Sequence, residues 1–107
     1  MATGKSYFEF IREQLDGIEG ISFRAMMGEY IIYCGKKTVG GIYDDRLLVK
    51  PTDSAKRLMP EAEYELPYEG AKEMLLVDNV EIREFLAELI PAVAADLPEP
   101  KAKKKKQ

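Results

Sequence analysis

Residues able to do covalent chemistry are scarce in this 107-residue chain, which has no histidine and a single cysteine, Cys34. That composition excludes a His-rich or Cys-rich zinc site and any Ser-His or Cys-His nucleophile pair within one chain. Asp44-Asp45 offers two adjacent carboxylates for a hard metal or for acid-base work. Their spacing fits no calcium loop, and adjacent acids suit a tight turn. Gly35 and Gly40 have the four-residue gap of a phosphate-binding loop, but Gly41 and Ile42 stand where Lys and Ser or Thr are required. What remains is chemistry of binding. Arg24, Arg46 and Lys50 with Tyr30 or Tyr33 can make a cationic patch with aromatic platforms, or pair across strands with Glu29, Asp44 or Asp45. Tyr64 and Tyr68 either fold an acidic loop back onto the body or serve a protein interface. Met26, Met27, Met59 and Met74 read as core and rim packing.

Charge is unevenly distributed. Residues 1–100 carry 11 Lys and Arg against 19 Asp and Glu, a balance of −8, and Lys101, Lys103, Lys104, Lys105 and Lys106 bring the whole chain to −3. An acidic body repels polyanions, so nucleic-acid binding would fall to a local patch or to the lysine tail. With 46% hydrophobic and 33% charged residues, the composition is that of a single soluble globular domain, expected over 1–97. Residues 98–107, PEPKAKKKKQ, have no large apolar side chain and read as a disordered tail, either solubilising or phosphate-binding. No run approaches a membrane span, no secretory signal core is present, and Cys34 cannot form an internal disulfide; a cytoplasmic location is expected.

The elements that must position these residues follow from periodicity. Ser6 and Glu9 have capping-box spacing, and Phe8, Ile11, Leu15 and Ile18 recur near helical spacing, which predicts a helix over 6–16. Four short runs follow: 21–27, 30–34, 38–43 and 46–50. They are joined by connections too short for parallel crossovers, so they pair as hairpins. Thr52 or Asp53 caps a short helix that Pro60 ends. The stretch EAEYELPYEG (61–70) reads as an exposed loop, and 73–77 as a fifth strand. Asp78 or Asn79 then caps the longest helix, whose Ile82, Phe85, Leu86, Leu89, Ile90 and Val93 form an apolar face, with a kink or break at Pro91. The fold class is α+β: a two-layer sandwich of order α-β-β-β-β-α-β-α, with helices on one face of a five-stranded antiparallel sheet.

The segment RAMMGEY (24–30), followed by GK, GGIY, DDRLLVK (44–50) and later LPYEGAK (66–72), resembles the N-terminal domain of the TfoX/Sxy family, associated with bacterial natural competence. The resemblance runs from about Tyr7 into the tail, since small members of that family also end in a Pro-Lys-rich extension. Where its better-known regulators commonly read Met-Phe-Gly, this chain has Met26-Met27-Gly28. The resemblance implies a fold like that of type III secretion chaperones and a regulatory, non-enzymatic role with no cofactor. Arg24, Tyr30, Tyr33, Arg46, Lys50, Tyr64 and Tyr68 are the residues expected to meet a protein partner, with a homodimer through an uncovered edge strand as a further expectation. The alternative is a nucleic-acid accessory module using the lysine tail and the Arg24 face.

Overall fold

The computed structural model describes residues 3–98. The element order is α1 (Lys5–Gln14), β1 (Ile21–Met26), β2 (Glu29–Cys34), β3 (Lys37–Ile42), β4 (Leu47–Val49), α2 (Asp53–Leu58), β5 (Tyr64–Glu65), β6 (Met74–Leu76) and α3 (Arg83–Asp96). The strands form one antiparallel sheet in the order β1-β2-β3-β4-β6-β5.

Three two-residue turns set the registers of the first four strands. At Met27-Gly28 and Asp44-Asp45 both central residues have positive φ, +54° and +85° in the first, +53° and +59° in the second. That is the type I′ geometry, whose twist matches the strands it joins. The second turn is closed by Tyr43 N–H to Arg46 O at 2.9 Å and Arg46 N–H to Tyr43 O at 3.0 Å. At Gly35-Lys36 only the first residue has positive φ, +67°, the II′ arrangement in which glycine leads. A register shift between Ile32 and Tyr33 leaves Val39 unpaired opposite them, a bulge in β3.

The core is one cluster. Ile11 and Leu15 of the first helical segment and Leu86, Leu89, Ile90 and Val93 of α3 are fully buried against Ile32, Val39, Ile42, Leu47, Val49 and Leu75 of the strands. Phe8 extends the cluster to β1 and β2, edge-on to Phe23 at 5.6 Å and stacked on Tyr30 at 3.8 Å. Two contacts tie α1 to the chain before α3: Gln14 Nε2 donates to Val80 O at 2.9 Å, and Arg83 Nη2 to Asp16 O at 2.9 Å.

The structure corrects four expectations. The sheet has six strands rather than five, because Tyr64 and Glu65, inside the presumed loop, pair with Leu75 and Met74 of β6. Two residues are too few for alternation to be visible in sequence. Ser6 and Glu9 do not make a capping box: the N-cap is Gly4, without a side-chain cap bond, and Glu9 pairs with Arg12 one turn along. Neither Asp78 nor Asn79 caps α3; a turn closed by Ile82 N–H to Asn79 O at 3.2 Å comes first, and Ile82 is the N-cap. Finally, of the kink or break expected at Pro91 the break does not occur, since α3 runs through it. The proline costs one backbone hydrogen bond, and burial of Ile90, Val93 and Ala94 beside it holds the helix together. Thr52 does cap α2, accepting from Ala55 N–H at 3.2 Å.

Candidate binding groove

Side chains alternate between the faces of a strand, so the residues between the core positions identify the face away from the helices. One row across that face runs Arg24, Ile31, Gly41, Leu48 and Leu76 in cross-strand register. Leu48 is fully buried although it points away from the core cluster. The neighbouring position in the row, Gly41, is covered by an aromatic ring. The ring of Tyr43 lies over Gly41, where an added Cβ would sit 2.5 Å from the ring. Tyr68 then packs against Tyr43 with centroids 6.1 Å apart. The segment after β5 therefore folds back over the outer face at Tyr68, whereas Tyr64 is part of β5 itself and pairs with Leu75.

Arg46 fastens that segment. Its Nη1 donates to Glu65 Oε1 at 2.6 Å, Nη2 to Leu66 O at 3.2 Å and Nε to Tyr43 O at 3.1 Å. A planar fork reaching three acceptors fixes the β5 end to the β3–β4 turn. On the other side, the N-terminal residues bind the two type I′ turns together. Thr3 N–H donates to Gly28 O at 3.0 Å, and Thr3 Oγ1 donates to Glu29 Oε1 at 2.6 Å. Gly4 N–H donates to Asp45 Oδ1 at 2.8 Å, and Asp44 N–H to Glu29 Oε1 at 3.0 Å. The tips of both hairpins are thus held at a fixed separation.

Between these fastenings lies a groove of about 680 Å³ with Met26, Met27, Tyr43, Leu66 and Tyr68 among its walls. Met27 is 95% exposed, Tyr68 58%, Leu66 46% and Met26 41%. Burial pushes the Tyr43 phenol above its ordinary value, with Tyr68, Glu29 and Tyr33 adding to the effect, so Tyr43 is a neutral donor and acceptor at physiological pH. Glu29, Asp44 and Glu69 edge the groove, and Lys50 and Lys72 line a second hollow of about 490 Å³ that shares Tyr43, Pro67 and Tyr68 with the first. Such a surface offers apolar contact and hydrogen bonding. Among the described residues no group of three or more His, Cys, Asp or Glu is placed to hold a metal ion, and no helix is long and apolar enough to cross a membrane.

The residues expected from sequence are only partly brought together. Arg24, Tyr33, Arg46 and Lys50 share the outer face by register, but Arg24 on the edge strand is three strands from Leu48, roughly 14 Å at ordinary strand spacing. The partner of Arg46 is Glu65 rather than Glu29, Asp44 or Asp45. Tyr30 lies on the helix side, stacked on Phe8. Tyr64 is half-exposed on the edge strand β5, and Lys101, Lys103, Lys104, Lys105 and Lys106 lie outside the described residues. Met59 is core, as expected, whereas Met27 is not packing at all. Sequence reasoning missed Met26, Met27, Tyr43 and Leu66 as site residues. The available signal was Met27-Gly28 itself, a two-residue connection where type I′ geometry favours Asn, Asp or Gly and the chain has methionine.

Comparison with known proteins gives a family match, described as the TfoX N-terminal domain, over residues 13–88. An uncharacterized 12.7 kDa protein in the trpE 5′ region of Spirochaeta aurantia is 37% identical over 107 residues, spanning 99% of this chain and 93% of that protein. No solved structure matches.

Proposed function

This chain belongs to the TfoX N-terminal domain family, and on that footing we propose that it is a regulatory module acting by binding another protein through the groove around Met27, in a setting linked to competence or transcription. One observation carries the reading: a large apolar side chain stands 95% exposed on a backbone conformation that disfavours it. Stability alone would replace it, and a local rule broken without a structural gain points to use. The neighbouring Met26, Leu66 and Tyr68 extend the apolar surface beyond an isolated residue.

The test is site-specific photocrosslinking in the native cell. A crosslinker at position 27 or 68 is expected to give one discrete adduct, and one at Glu13 on the exposed side of α1 none. Equal adducts at all three positions, or none at any, would reject the reading. The nucleic-acid alternative has less support on the outer face, because Arg46 is engaged by Glu65 and Tyr30 faces the helices.

A further inference from the structure

Charge along the outer face is ordered, and this order points to the kind of partner. Arg46 lines the Met27 hollow and Lys50 lines the adjoining one; the two flank β4, four residues apart in extended chain, a distance of about 13 Å. At the Met27 end the Glu65 charge is closed by Arg46; Glu29, which accepts from Thr3 and Asp44, and Asp44 and Glu69 also line this end, and none of the three pairs with a Lys or Arg among the described residues. At the other end Lys50 and Lys72 face outward against one carboxylate, Glu73, and neither lysine pairs with a carboxylate among the described residues. The two hollows adjoin, with Tyr43, Pro67 and Tyr68 lining both, so a ligand laid across these residues would reach the two ends.

Resting on the protein-binding reading above, we propose that the groove takes an extended segment of a partner protein of defined polarity. A Lys or Arg of that segment lies over the Glu29, Asp44 and Glu69 end, and a long aliphatic or aromatic side chain contacts Met27 and Tyr68. An Asp or Glu about four residues from the cation meets Lys50 and Lys72. The spacing follows from the 3.3 Å rise of an extended chain over the roughly 13 Å between Arg46, which lines the acidic end, and Lys50 at the other. The apolar contact supplies affinity, and the opposed charges at the two ends supply direction, because a segment laid in reverse places like charges together.

A displayed random heptapeptide library panned on the full chain, with the Met27→Asp chain as counter-selection, tests this. Selected peptides are expected to carry a cation and an anion three to five residues apart with a large apolar residue between them. Synthesised and measured by fluorescence anisotropy at low salt, they are expected to bind roughly three- to tenfold more weakly to Glu69→Lys and to Lys50→Glu, the size of reversing one exposed charge contact. Circular dichroism of each variant controls for folding. Peptides that need Met27 but show no charge bias, or ignore both reversals, overturn the polarity assignment and leave the groove reading standing. Peptides from a parallel panning without counter-selection that all bind the Met27→Asp chain as well as the parent overturn both, and an empty selection overturns the proposal.

Discussion

Replacing Met27 with Asn should make the protein more stable and less able to bind, two changes of opposite sign from one substitution. The stability gain comes from the backbone. Met27 has φ +54° and Gly28 +85°, so the substitution turns Met-Gly into Asn-Gly, the pair best suited to a type I′ turn. A left-handed conformation costs an ordinary L-residue about 1–2 kcal/mol, a cost that Asn largely escapes through local hydrogen bonding. Nothing offsets that gain, because a side chain that is 95% exposed loses almost no burial on replacement. A net gain of about 1 kcal/mol raises the melting temperature of a domain near this size by about 4–8 °C. The binding loss comes from the side chain: burying a methionine in an interface is worth about 1.5–3 kcal/mol, so affinity for the partner should fall roughly ten- to a hundredfold. Thermal unfolding followed by circular dichroism measures the first effect, and the crosslinked partner titrated against both chains measures the second. A melting temperature that stays level or drops would refute the strain argument. Unchanged affinity would refute the assignment of Met27 to binding.

Arg46→Ala removes three hydrogen bonds, two of which hold Glu65 of β5 and Leu66 to the β3–β4 turn. The half-exposed setting limits the loss to about 1–2 kcal/mol, and amide exchange should quicken over residues 64–76 while α3 keeps its protection. Gly40→Ala is expected to be far worse, since its Cβ would lie 2.1 Å from Leu48 O and 2.8 Å from Val49 Cα. Both are backbone atoms that cannot swing aside, so a loss of about 3 kcal/mol in chemical denaturation, or failure to fold, is the expected result. Hydrogen bonding from Ser54 holds the Asp96 carboxyl below its usual value of 3.8. A depressed carboxyl adds stability above the unfolded-state pKa and loses it as pH falls through the folded one, so the gap in urea midpoint between the parent and Asp96→Ala should be full at pH 7 and close below about pH 4. Deleting residues 101–107 should leave melting temperature unchanged; DNA or RNA binding that weakens steeply with salt and vanishes on this deletion would revive the nucleic-acid reading.

Much of the fold was legible because the β-meander is local. Strands 21–26 to 47–49 are joined by turns whose residues state their geometry, Gly35 leading one and paired aspartates filling another, and the apolar alternation then places Ile32, Ile42, Leu47 and Val49 on the core face. Helix ends were read less well. Gly4 and Ile82 serve as N-caps without side-chain bonds, while Ser6, Asp78 and Asn79, which have the right side chains, do not cap these helices. Strand β5 was hidden because its two residues pair with β6, nine to eleven positions away, and an acidic composition gives no hint of pairing.

The sequence by itself determined the family, the α+β class and the lack of His-based chemistry, since these depend on residue identity and on spacings within about ten residues. Tertiary structure decided the site. Whether Tyr30 faces helix or solvent depends on strand phase. Whether Arg46 is a free cation depends on Glu65, 19 residues on, and whether Met27 is packing or surface depends on what lies across the sheet. Side-chain type is written along the chain, but exposure is a property of the neighbours that folding brings from elsewhere.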